Sequence, residues 1–304
     1  AQELLGDALL AEARAHRKDL EDRASEKGFR NTEHKVESYE RVIGKYDEAL
    51  AANEANEEAQ EERNEVASEI AQDLLAEAEQ HRNQAREFSE NGSQRKLIEE
   101  LDEAQEKLVD AHSFDPEDEI IADTLEKNEL WLAEFKEERG DDLVANAERN
   151  QNRPDSQIRN LESAREEYEE AAMLDPRRAE GIEEKLDALE QSLAEAFENS
   201  GDQFTGEAME MAEAAAGGEA ASGEEAGDFD AMGQDDLQVA ISKMERGIKD
   251  YEMAQNLDPG LQSAADARAQ ALQQLAGLRD TLNQKRIDSE GAQMAQAESM
   301  SGDE

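Results

Sequence analysis

The stretch LESAREEYEEAAMLDP at 161–176 decides the fold. Leu161, Tyr168, Ala171 and Leu174 follow one another at steps of seven, three and three, and the run stops at Asp175-Pro176. Those steps keep four side chains on one stripe of a helix. Proline cannot continue a helix in that register, so the stop is built in. The same pattern returns as Leu101, Leu108, Ala111, Phe114, Asp115 and Pro116, and as Met244, Tyr251, Ala254, Leu257, Asp258 and Pro259. An earlier copy reads Tyr39, Tyr46, Ala49, Ala52 and Asn53, with Glu54 where the others have proline. A unit repeated along a chain buries its apolar stripe by stacking on its neighbours. The expected fold is all-α, an α-solenoid of about four elongated antiparallel helical hairpins.

Working outward, the motif ends at Glu54, Pro116, Pro176 and Pro259 lie 62, 60 and 83 residues apart. The period is therefore about 61, and the last interval carries an excess of roughly 22. That excess is assigned to 216–233, which is small, acidic and glycine-rich and cannot bury enough apolar surface to order itself. The units are 1–54, 55–116, 117–176 and 177–259, with a closing helix over 260–288 and an acidic flexible tail over 289–304. Turns are expected near 27–32, 53–56, 90–94, 114–117, 151–155, 174–177, 216–234 and 257–260. Gly140-Asp141 and Gly201-Asp202 read as kinks or breaks in the second helices of their units. Ala111, Ala171 and Ala254, flanked by larger anchors, are expected at close helix crossings.

The structural repeat positions are thus Tyr46, Ala49, Leu108, Ala111, Phe114, Pro116, Tyr168, Ala171, Leu174, Pro176, Tyr251, Ala254, Leu257 and Pro259. They resemble the second helix of the tetratricopeptide repeat, in which a small residue sits among aromatic or large aliphatic ones and the helix ends in proline. Ala104 with Leu108, Ala164 with Tyr168, and Gly247 with Tyr251 follow that order. The resemblance implies a right-handed stack of helical hairpins. The first-helix signature is reduced to Leu5-Gly6-Asp7-Ala8, and the period is 61 rather than 34. Each helix is then about four turns longer than in that family.

Composition narrows the function. The 304 residues include 79 acidic and 32 basic side chains, a net charge of −47. Such a coat repels itself strongly in dilute salt. It suits about 1 M salt, where the Debye length is about 3 Å, so the reading is a salt-adapted protein. Nucleic acid is excluded as a partner, because neutralising phosphates needs clustered Lys and Arg. Anionic lipid is disfavoured on the same ground, and no apolar run approaches the roughly 20 residues of a membrane span. There is no cysteine, hence no disulfide and no thiolate chemistry. The chain opens Ala1-Gln2-Glu3 without methionine, which is read as export after signal removal, with a cytoplasmic protein as the alternative.

No catalytic, cofactor or metal site is expected. His16, His34, His81 and His112 are read as exposed helix positions without metal-ligand spacing. The run Gly227-Asp228-Phe229-Asp230, followed by Asp235 and Asp236, offers oxygen ligands but not an ordered calcium loop. Trp131, Met209 and Met211 are read first as packing and second as contacts to a partner. The expected function is a non-enzymatic scaffold for protein–protein interaction in the cell envelope of a halophile. The alternative is a structural subunit that joins copies of itself head-to-tail into a filament or other extracellular polymer.

Overall fold

A computed structural model of the chain describes residues 2–215 and 229–301. Its helices are α1 (Gln2–Lys27), α2 (Thr32–Ala52), α3 (Glu57–Glu90), α4 (Gln94–Phe114), α5 (Glu119–Arg149), α6 (Pro154–Leu174), α7 (Ala179–Ala215), α8 (Gln234–Leu257) and α9 (Gln262–Ser301). Two single-turn 3-10 segments, Pro176–Arg178 and Phe229–Ala231, complete the order, and there is no strand among the described residues. The helix ends fall on the turns expected from proline and from motif spacing.

The four motif helices, α2, α4, α6 and α8, end in one way. The backbone N–H of Asn53, Asp115, Asp175 and Asp258 donates to the carbonyl of Ala49, Ala111, Ala171 and Ala254 respectively. The capping residue then leaves the helical region, with φ between −126° and −148°. Proline at the next position forces this on Asp115, Asp175 and Asp258, because its ring disfavours helical backbone in the preceding residue. Asn53 takes the same conformation before Glu54, so the cap does not depend on the ring. Two starts, those of α2 and α3, carry side-chain caps. Asn31 Oδ1 accepts from His34 N at 3.0 Å and Asn56 Oδ1 from Ala59 N at 3.1 Å, satisfying donors that the first turn leaves open. Gly28 and Gly92 close the α1–α2 and α3–α4 turns with φ of 65° and 68°, a backbone open at little cost only to glycine.

The chain divides into two compact units, Ala1–Lys136 and Glu137–Glu304. In the first, α1 packs on α2, α2 on α3 and α3 on α4. Its core gathers Leu10, Val42, Tyr46, Ile70, Leu74, Leu108 and Ile121. In the second, α6 packs on α7, α7 on α8 and α8 on α9. Its main cluster includes Ala212, Leu237, Met244, Tyr251, Leu275 and Leu278. Consecutive helices stacking in this way is the α-solenoid kind of packing, in which each helix shares its apolar stripe with its neighbours.

Three features differ from expectation. First, α5 and α7 run without interruption through Gly140-Asp141 and Gly201-Asp202. Second, residues 216–228 of the proposed insertion lie outside the described residues, but 229–233 do not behave as a loose loop. Phe229 and Met232 are buried. Phe229 lies against Gly277 of α9, where an added Cβ would stand 3.2 Å from the ring. Lys285 Nζ donates to the Asp230 carbonyl at 2.6 Å. A single aromatic thus gives the end of this polar segment the apolar burial that its composition otherwise lacks. Third, α9 extends through 289–301 as helix, whereas that span was read as an unstructured tail; residues 302–304 lie outside the described residues.

Candidate binding groove

The motif residues build cores, one set per hairpin, and do not converge on a pocket. Tyr46, Ala49, Leu108, Ala111, Tyr168, Ala171, Tyr251 and Ala254 are buried. Phe114, Leu174 and Leu257 are half-buried at the last turn, and Pro116, Pro176 and Pro259 are exposed just beyond it.

The two uninterrupted glycines explain the third and fourth tyrosines. A Cβ on Gly140 would stand 2.4 Å from Tyr168 Cε1, and one on Gly201 would stand 2.6 Å from Tyr251 Cε1. Each glycine clears a notch for a ring from the facing helix. The next residue then takes the phenol. Tyr168 donates to Asp141 Oδ1 at 2.6 Å and Tyr251 to Asp202 Oδ1 at 2.7 Å. Burial, then the bonded carboxylate, holds both phenols well above the usual tyrosine range, because both effects disfavour phenolate. Tyr46 leans the other way and donates to Glu62 of α3 at 3.1 Å. Burial and that carboxylate push it up to about 12.

In the second unit a concavity lies where α6, α7 and α8 meet. Each helix contributes residues from one of its faces, with Ile158 and Ser200 buried at the base. Asp155 and Ile158 come from the start of α6, Phe197, Ser200 and Phe204 from α7, and Val239, Lys243, Arg246 and Asp250 from α8. The steps of three, four and seven are those of a helix face. Two adjoining clefts of about 540 Å³ and 410 Å³ share Arg246. Its guanidinium carbon stands 3.8 Å from the Phe204 ring centroid, and Nη2 donates to Asp155 Oδ1 at 2.5 Å. The residue therefore ties all three helices together through a cation–π contact and an ion pair.

Around it the charges alternate. Lys243 pairs with Glu207 and holds that carboxyl below its usual range. Asp250 accepts from Ser200 Oγ at 2.8 Å. Burial pushes the Asp250 carboxyl up, against the pull of Ser200 and Arg246. Val239 remains 47% exposed between these groups. An apolar floor with a few converging polar groups is the general make-up of a binding concavity. Nothing in the sequence reading named this groove.

The other candidate residues are scattered. His34 is exposed, whereas His16, His81 and His112 are half-buried, which corrects the expectation for those three. His81 Nδ1 lies 2.8 Å from Glu100, a contact between α3 and α4. Trp131 is half-buried and meets Phe135 edge-on at 6.1 Å. Gly227 and Asp228 of the candidate calcium run lie outside the described residues. No group of three or more His, Cys, Asp or Glu side chains among the described residues is placed to hold a metal ion. No described helix is long and apolar enough to cross a membrane. No protein-family model matches the chain, and no curated protein matches it.

Proposed function

We propose that this chain is a non-enzymatic helical-repeat scaffold of tetratricopeptide-like construction that binds other proteins in a salt-rich setting. The groove around Arg246 carries the reading. It is open, floored by Phe197 and Phe204, and lined by both signs of charge, as expected of a surface that receives polypeptide. The repeat supports it too, since stacked hairpins present long binding faces. The net charge of −47 supports the salt-rich setting, because only strong screening lets so many carboxylates lie close together.

The test is photo-cross-linking in extract of the source cells at about 1 M salt, where the Debye length is about 3 Å. A photoreactive residue replaces Val239 in the groove, and in a second protein it replaces Met173, which is exposed on α6 outside it. The reading expects one discrete adduct from position 239 that disappears with Arg246→Glu. Equal labelling from both positions, or no adduct at either, overturns it.

A further inference from the structure

The turn between α3 and α4 reads Glu90-Asn91-Gly92-Ser93-Gln94. Asn91 is followed two places on by a hydroxyl, and no other asparagine of the chain has serine or threonine at that distance. An Asn-X-Ser triplet with X other than proline is an acceptor of N-linked sugar where it stands on a surface turn. The structure supplies that setting. α3 ends at Glu90 and α4 begins at Gln94, so the triplet is the turn itself. Asn91 and Gly92 are exposed and Ser93 is half-buried. A Cβ added to Gly92 would meet no atom within 4 Å, so the flank of the turn is open space.

The fold leaves free both groups that sugar transfer uses. Asn91 Nδ2 donates one hydrogen to the Glu87 carbonyl at 2.7 Å. A primary amide carries two, so a singly substituted amide can still close the end of α3. Ser93 stands at the N-cap of α4, where a serine hydroxyl ordinarily accepts from the first turn, yet it makes no side-chain cap bond there. The backbone holds the turn instead. The N–H groups of Asn91, Gly92 and Ser93 donate to the carbonyls of Glu87, Ser89 and Phe88 at 3.2, 3.2 and 2.9 Å. Asn150 is the comparison within the chain. It also follows a helix end and donates from Nδ2 to the carbonyl four residues back, that of Asn146, at 2.8 Å, but Asn152 stands where the hydroxyl would be.

We propose that Asn91 is a modification site and carries an N-linked oligosaccharide. The donor is a lipid pyrophosphate-linked oligosaccharide. The bond from its sugar C1 to the pyrophosphate oxygen breaks, a bond from C1 to Asn91 Nδ2 forms, the amide gives up one proton, and the lipid pyrophosphate leaves. Nothing is oxidised or reduced. The Ser93 hydroxyl is the group that the transferring enzyme reads beside the amide. Such donors are used on the outer side of a membrane, so the sugar also marks a chain that has been exported. A bulky, solubilising group at this turn keeps the α3–α4 end of the first unit in solvent and bars another protein from docking on it. The site uses no residue of the Arg246 groove and goes beyond the scaffold reading.

Mass spectrometry of the protein purified from its source cells tests the proposal. Trypsin releases Glu87–Arg95, in which Asn91 is the only asparagine, and this peptide should be heavier by whole sugar residues. Made in the same cells, Asn91→Gln and Ser93→Ala should each lose the added mass, and Ser93→Thr should keep it. Ser93→Ala leaves the Asn91 bond to Glu87 in place, so its circular dichroism should match wild type and its loss of sugar is not a loss of fold. The peptide that begins at Asn150 should carry no sugar. An unmodified Glu87–Arg95 peptide from wild type, sugar that survives Asn91→Gln or Ser93→Ala, or sugar on Asn150 overturns the proposal. Cross-linking from position 239 is independent of all these outcomes and decides the scaffold reading by itself.

Discussion

Gly140→Ala should destabilise the third hairpin, although the substitution improves helix propensity. The new Cβ would stand 2.4, 2.7 and 3.0 Å from Cε1, Cδ1 and Cζ of Tyr168. Carbon atoms in good contact sit about 3.5–4.0 Å apart, so ring and helix must separate by about 1 Å. The ring cannot yield alone, since it is buried and its hydroxyl is held by Asp141 at 2.6 Å. Overpacking costs about 1–3 kcal/mol, and weakening a hydrogen bond to a charged acceptor costs up to about 1.5–3 kcal/mol. Replacing glycine within a helix returns about 1 kcal/mol. The expected net loss is about 1–4 kcal/mol, or roughly 2–4 °C of thermal midpoint per kcal/mol for a unit of this size. The second hairpin suggests the compensating change. There Ala78 stands 24 residues after Glu54, as Gly140 stands 24 after Pro116, and Leu108 takes the motif place of Tyr168. Urea unfolding of Gly140→Ala, Tyr168→Leu and the pair should therefore give a double variant less damaged than the two single losses combined. Losses that add within about 0.5 kcal/mol, or a Gly140→Ala protein more stable than wild type, would refute the notch.

Ala171, fully buried at the end of α6, should tolerate nothing larger; Ala171→Leu should cost about 1–3 kcal/mol by overpacking, read as a lower urea midpoint. Helix content by far-UV circular dichroism should fall as salt drops from about 1 M to about 10 mM, where the Debye length grows to roughly 30 Å; a flat curve would remove the salt-adapted reading. In the first unit, Arg14 hydrogen-bonded to Glu62 outweighs burial and holds that carboxyl below its ordinary 4.5. Its contribution is therefore present above about pH 4.5 and is lost as pH falls through the lowered folded value, so Glu62→Gln should flatten the acid limb of a stability–pH curve. Asp250 has the opposite sign. Burial raises its carboxyl, so ionisation weakens the fold as pH rises through the raised value, and Asp250→Asn should raise the thermal midpoint at neutral pH but not in acid.

The helix boundaries were legible because their causes are local. Asp-Pro stops a helix wherever it occurs, and stripes at three- and four-residue steps report the face that will be buried. The notch glycines were visible as a repeated Gly-Asp pair, but low helix propensity suggested a break. Their meaning lies in the facing helix, where tyrosine accompanies Gly140 and Gly201 and leucine accompanies Ala78. That correlation was open to the sequence and supplies the missing signal. The groove was not legible. Arg246 meets Asp155 across 91 positions, and only the packing of α6, α7 and α8 brings their lining residues together. Within the closing helix, which the sequence marked only by its extent, Leu275 and Leu278 turn inward and Leu272 outward.

The tyrosine notches also bear on how the protein carries load. A helix advances 1.5 Å per residue, so sliding α6 along α5, or α8 along α7, by a single residue drives a ring onto a side chain and pulls its hydroxyl from the carboxylate. These two hairpins are keyed against shear, while α1 is held by its packing on α2 and, across to α3, by Arg14 and Arg17, whose bridges to Glu58, Glu62 and Glu65 sit at the surface. Stretched from its two ends, the chain should yield first by peeling α1 away, with the keyed hairpins turning as stiff plates until their glycines are torn out of register.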